Sequence, residues 1–261
     1  MQYVYEWYII MLKLIVFLLI LIFIYIAKGH DVRFHHSRID TKYSWSGPHV
    51  NLIKYPLYMF SKYKVFTLKP GDCLYIPSNW WHWVFSRKEN IAINVWFDGI
   101  DSPELTFNTP FLRKNTRFKN NSMDAYFLKE NLKEKYPCGY RNVPNSYSYR
   151  RISEAYDNIK LERKSATFSD FISGIKPGKY GTFFAQDVEK ELDLKKYIDI
   201  IPDNENIIRN LWFYDGDTNS GLHRDESENY LFQIKGEKKI FLFHPNYGKY
   251  LYADTVLAIV E

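Results

Sequence analysis

The chain has 261 residues, 18% of them aromatic, and a formal net charge of +5 at pH 7. That length holds one large or two small domains with a buried core. Its lysines and arginines are scattered among acids, which excludes the long basic block of a nucleic-acid binder. The two cysteines, Cys73 and Cys138, set up no disulfide framework and mildly favour a reducing compartment.

From Trp7 to Ala27 the chain is apolar except for Lys13, with an uninterrupted run from Leu14 to Ala27. About 20 residues are needed to cross the hydrocarbon of a bilayer, and this segment reaches that length if Lys13 snorkels. It predicts a transmembrane helix within a membrane anchor over residues 1–29. A cleaved signal peptide competes, although Ala27-Lys28-Gly29 makes a poor small-residue cleavage site. Lys28, Arg33, Arg38 and Lys42 follow the span and only Lys13 precedes it, so the positive-inside tendency places the globular part in the cytosol behind a single-pass N-terminal anchor. Residues 30–47 are polar without clear period and read as a tether, including the cluster His30, His35 and His36.

From residue 48 to 100 the texture is that of strands. Val65–Leu68, Asp72–Ile76, Trp81–Phe85 and Ile91–Phe97 are short, β-branched or aromatic, and set off by Pro70-Gly71, Pro77 and Asp98-Gly99. Residues 101–150 carry four prolines and many polar residues and read as a connector, with one amphipathic helix over Met123–Lys135. In the last segment, 151–261, a strand-like Asn158–Glu162 precedes a capped helix start at Ser169–Ser173 and a short helix over Asp187–Tyr197. Strands then return at Ile208–Tyr214, Asn229–Ile234 and Lys239–Phe243. Short strands at this spacing predict a mainly β sandwich or barrel.

The chemistry concentrates in two places. His223 and Asp225 stand two apart, so on a strand both side chains leave the same face while Arg224 points away. Two histidines and one carboxylate on one face hold the iron of non-haem Fe(II) oxygenases and leave positions open for cosubstrate and O₂. The third ligand is sought in the upstream stretch Gly71-Asp-Cys-Leu-Tyr-Ile-Pro-Ser-Asn-Trp-Trp-His82. The tripeptide His223-Arg-Asp225 also spells the catalytic triplet of protein kinases, but the Gly-rich loop, Val-Ala-Ile-Lys and Asp-Phe-Gly are all missing from the sequence.

Both stretches resemble the Jumonji C and cupin-like family of 2-oxoglutarate oxygenases, with particular likeness to the asparaginyl hydroxylase of hypoxia-inducible factor. The family pattern H-x-D-x-x-x-N, an apolar run, then Q-x-x-G-x-K is met by His223, Asp225, Asn229, Gln233, Gly236 and Lys238. The pattern G-D-x-L-Y-I-P-x-x-W-W-H, then V-N-x-W, is met by Gly71 to His82 and by Asn94 and Trp96, with Ile93 in place of Val. The resemblance implies a double-stranded β-helix (jelly roll) with flanking helices. It implies His223, Asp225 and His82 as ligands of Fe(II), and Lys238, Ser220, Asn94 and Asn229 around 2-oxoglutarate. The activity implied is an oxygenase of hydroxylase or demethylase type, with a protein or peptide substrate. Phe184 departs from the family's Y-x-Q segment, since it has no hydroxyl to reach the cosubstrate.

In the family the His-x-Asp half precedes the Trp-Trp-His half; here the order is reversed. Three readings follow: a circularly permuted single barrel, two incomplete barrels from a tandem array, or exchange of halves between chains. A rival to the enzyme is a catalytically inactive, membrane-tethered cupin-like module that binds or scaffolds.

Overall fold

A computed structural model of the protein describes residues 34–37, 39, 41–42, 48–97, 109–114, 123–141, 161–194 and 207–253. In chain order its strands are β1 (Phe34–His36), β2 (Thr41–Lys42), β3 (His49–Val50), β4 (Tyr63–Leu68), β5 (Cys73–Ile76), β6 (Trp81–Phe97), β7 (Phe111–Arg113), β8 (Tyr136–Arg141), β9 (Leu161–Ala166), β10 (Tyr180–Ala185), β11 (Ile207–Tyr214), β12 (Thr218–Asp225) and β13 (Glu228–Phe243). Their pairings are antiparallel.

Two long strands organise the molecule. The sequence predicts breaks inside both β6 and β13, yet each runs through, and the polar residues in the middle form bulges rather than turns. The register of β13 on β6 slips between Gln233 and Lys235 and again before Glu237. Lys88 (φ 56°) and Gly236 (φ 77°) adopt the left-handed backbone there. The side chain of Gln233 holds the bulge, donating to Asn90 Oδ1 at 3.0 Å and to the Lys235 carbonyl at 2.6 Å.

At these bulges the sheet folds into two leaves. The first is ordered β1–β12–β6–β13–β4 and uses the start of β6 and the end of β13. The second is ordered β9–β8–β10–β11–β6–β13–β5–β7 and uses the other halves of the same two strands. Leu68, Leu74, Ile76, Ala92, Leu231, Ile240 and Leu242, drawn from both leaves, form one buried cluster between them. Behind the first leaf Trp81, Trp83, Phe85, Phe241 and Phe243 pack under Ile39, Tyr55 and Leu251. Behind the second, Ile91, Ile93, Val95, Phe183 and Phe213 pack against Leu128, Phe168 and Phe171. The architecture is mainly antiparallel β and consistent with a cupin jelly roll.

Strands from residues 63–97 and from 207–243 interleave within one sheet. The connection that the reversed order omits is short in space. Tyr55 and Tyr252 have ring centroids 5.1 Å apart, the Leu57 amide donates to the Tyr252 hydroxyl at 3.0 Å, and Ser37 bridges to Ala253.

Several expectations are corrected. Within the predicted tether, residues 34–36 form β1 because the outer edge of β12 offers unpaired backbone groups, and residues 41–42 pair with 49–50. The predicted connector contributes β7 and β8 as well as its helix. That helix spans Ala125–Asn131, opened by Asp124, whose carboxylate accepts the Phe127 amide at 2.9 Å. The later helix covers Phe168–Ser173 behind a Thr167 cap, and of the predicted helix 187–197 the described part is a 3-10 turn, Val188–Lys190. The predicted transmembrane segment lies outside the described residues; among these no helix is long and apolar enough to cross a membrane.

Candidate metal centre

Residues His82 on β6 and His223 on β12 are directly opposed in the antiparallel register. Opposed residues point to the same face, and Asp225, two further along β12, joins them. The ligand-type atoms of His82, His223 and Asp225 all lie within 4.8 Å of one another. His82 Nε2 is 3.6 Å from Asp225 Oδ2, His223 Nε2 is 4.0 Å from Asp225 Oδ1, and the two imidazole centroids are 4.1 Å apart.

Hydrogen bonds orient both rings the same way. His82 Nδ1 lies 3.0 Å from the Trp80 carbonyl and His223 Nδ1 lies 3.0 Å from the Gly221 carbonyl. A carbonyl accepts only, so each Nδ1 carries the proton and each Nε2 lone pair faces the shared centre, as in metal-binding histidines. Asp225 is buried, and its Oδ1 has no hydrogen-bond donor among the described residues. Burial raises the Asp225 carboxyl to about 6, with His223 acting in the opposite direction. Two aimed lone pairs and an orphaned buried oxygen suit a divalent first-row cation.

Behind the centre the backbone is clamped. The Asn79 amide donates to the Asp225 carbonyl at 2.7 Å, and the Arg224 guanidinium donates to Asn79 Oδ1 at 2.5 Å while lying 5.7 Å above the Trp81 ring. Arg224 thus points away from the centre, as alternation requires, and ties the turn before β6 to the end of β12.

Further into the space between the leaves, Lys238 is buried. Its Nζ donates to Ser86 Oγ at 2.7 Å and sits 4.6 Å above the Tyr214 ring. Burial alone pushes its ammonium down to about 7. Asn94 donates to Asn229 Oδ1 at 3.1 Å, so these two predicted pocket residues meet each other. Ser220 is different. Its hydroxyl accepts the Val84 amide at 3.2 Å and donates to the Gly221 carbonyl at 3.0 Å, inside the bulge between Asn219 and Leu222. Backbone takes up that hydroxyl, and Ser86 is the one that meets Lys238. Phe184 stacks on Trp212 at 4.1 Å, and Trp212 lies near-parallel to Tyr214. Sequence reasoning missed Ser86 and Tyr214, although the alternation Asn210, Trp212, Tyr214 carries the signal for the second.

A profile of the cupin-like domain family matches this chain in two separate segments, residues 20–102 and 107–258. The chain belongs to that family. It is 25% identical over 229 residues to a JmjC domain-containing protein of Acanthamoeba polyphaga mimivirus, covering 76% of this chain and 37% of the relative. It is 29% identical over 132 residues to lysine-specific demethylase 8 of Danio rerio, 44% of this chain and 30% of the relative. Over 44 residues it is 41% identical to Jumonji C domain-containing protein 5 of Drosophila melanogaster, 17% of this chain and 11% of the relative. The chain is thus similar to JmjC-domain proteins, while spanning little more than a third, at most, of each relative's length. No solved structure matches it.

Proposed function

We propose that the protein is an Fe(II)- and 2-oxoglutarate-dependent oxygenase, with His82, His223 and Asp225 as the metal ligands. The observation that carries this is the convergence of both Nε2 lone pairs on a buried carboxylate with an orphaned oxygen. Bound Fe(II) with 2-oxoglutarate would supply oxidative attack on a C–H bond by O₂. The chain's own part is to hold, orient and keep dry.

Lys238 would receive the distal carboxylate of the cosubstrate, since a buried carboxylate needs a cation to offset desolvation. Ser86 orients Lys238 Nζ. His82 and Ser86 are four residues apart on β6, about 13 Å along the strand, a span suited to a five-carbon dicarboxylate flanked by the reach of the two side chains. Asn94 and Asn229 line the same interior face. Tyr214, whose ring lies under Lys238, offers a hydroxyl-bearing wall where Phe184 cannot. The substrate proposed is a protein or peptide side chain, the class named by the lysine-specific demethylase relative. The apolar segment within 1–29 adds the proposal of a membrane-tethered, cytosol-facing enzyme.

The missing hydroxyl at Phe184 favours the rival reading, an inactive cupin-like binder. Anaerobic titration of Fe(II) and 2-oxoglutarate into the full chain in detergent separates the two. A saturable visible charge-transfer band, lost in His82→Ala, is the expected result. A folded wild type without a band would leave the binder.

A further inference from the structure

The exposed apolar surface of the described residues is concentrated in one short stretch. Leu52, Ile53, Met59, Phe60, Tyr63 and Val65 are all exposed, Ile53 at 96% and Met59 at 66%. The 3-10 helix Pro56–Phe60 that carries two of them buries none of its own residues. It is held against the 3-10 helix Pro245–Tyr250 by the contact of Phe60 with Tyr250, ring centroids 5.9 Å apart. Tyr63 extends the patch onto β4, the outermost strand of the first leaf, packing at 5.4 Å on both Phe241 and Phe243. A lip of exposed apolar side chains gathered within residues 52–65 of a folded domain marks an interaction surface.

Its charge is one-sided. From Thr41 to Gly71 the sequence holds no Asp or Glu but carries Lys42, Lys54, Lys62, Lys64 and Lys69, and from His244 to Ala253 it holds Lys249 and no acid. Lys54, Lys62, Lys64 and Lys249 are exposed. Aliphatic and aromatic side chains rimmed by lysine and tyrosine form the composition of a surface that lies in the headgroup region of an anionic bilayer.

The position of the chain's start agrees. His35, Arg224, Trp81, Phe243 and Tyr63 form one row across the first leaf. The N-terminal strand β1 and the exposed start of β4 therefore share one end of the sheet, four strand spacings or about 19 Å apart. The apolar run to Ala27 stops seven residues before Phe34, and seven residues reach at most about 25 Å. On the proposed membrane tether, on which this inference rests, a bilayer holding that run lies within reach of the lip.

We propose that the surface formed by residues 52–65 and 245–250 docks on an anionic lipid bilayer, seating the domain against the membrane. The test is backbone hydrogen exchange on the full chain reconstituted in phosphatidylcholine vesicles with and without about 30% phosphatidylserine. The expected result is roughly three-fold or greater slowing of exchange across 52–65 in the anionic vesicles only. That slowing should be lost in Ile53→Glu/Met59→Glu while the protein stays on the vesicles. Lys62→Glu/Lys64→Glu, which spares the apolar residues, should lose it too, so a misfolded first variant leaves the question answerable. Equal exchange in both vesicle types overturns the proposal. Protection that is already present in detergent and rises with protein concentration also overturns it, in favour of a second copy of the chain.

Discussion

At the scale of single residues, Lys238 sets the most direct test of the interior pocket. A lysine whose folded value is pushed to about 7 from 10.5 binds fewer protons in the folded than in the unfolded state between those two values. Stability therefore falls as pH drops through that window, and below about 7 the full burden of the buried ammonium is present. Each pH unit in the window corresponds to about 1.4 kcal/mol. Lys238→Met removes the burden, so urea unfolding should show the variant gaining on the wild type at pH 7 relative to pH 9, by up to about 2–3 kcal/mol. The same variant should lose 2-oxoglutarate binding in the anaerobic titration. A stabilised variant that still binds would place the cosubstrate elsewhere.

At the scale of elements, the bulge in β13 explains why a glycine and a glutamine sit where they do. Gly236 has φ 77°, and a Cβ there would lie 2.5 Å from the Glu89 carbonyl and 2.6 Å from Asn90 Nδ2. Gly236→Ala must move the backbone, since strain in this region alone costs about 1–3 kcal/mol. We expect a drop of at least that size in chemical unfolding, together with weaker cosubstrate binding, because the bulge re-aims Lys238 inward two residues later. The element scale is also where the sequence was least readable. Arg87-Lys-Glu-Asn90 and Lys235-Gly-Glu237 have the composition of turns, but tertiary pairing keeps them inside long strands. In β8, Pro137 and Gly139 mask a strand; Pro137 falls outside the stretch paired to β10, where its missing N–H is tolerated. The strand β1, Phe34-His-His36, is too short to show a period, and among the described residues the open edge of β12 gives it its partner. By contrast the shared face of His223 and Asp225 was legible from strand alternation, and His82 was sought beside them on the family resemblance; the opposed register of β6 and β12 brings the three together. Ser220 sits in a bulge, invisible in the sequence, that turns its hydroxyl to the backbone.

At the scale of the whole molecule, the reversed order of the halves becomes a question of connectivity alone. The described chain passes Tyr252 against Tyr55 and Ala253 against Ser37. A chain re-ordered by linking residue 253 to residue 55 through a short loop and opened between residues 97 and 109 should fold to the same sheet, because it keeps the pairings among β4 to β13. Without residues 1–54 it forfeits the cover given by Ile39 and Val50, so those residues should be carried at its new terminus. We expect its denaturant stability to lie within about 2 kcal/mol of the parent, with the Fe(II)–cosubstrate band retained. Loss of both in a soluble permutant would show that the present connectivity is itself required.

The same interleaving has a consequence in time. β4, β5 and β6 find their partners on β11, β12 and β13, so a growing chain presents Trp81, His82 and Trp83 long before His223 exists. About 140 residues separate the two histidines, which at about 5–20 residues per second is several seconds to half a minute of synthesis. Throughout that interval the nascent strands carry open edges and bare aromatic faces. The two imidazoles can meet only once β12 has been made and has paired with β6.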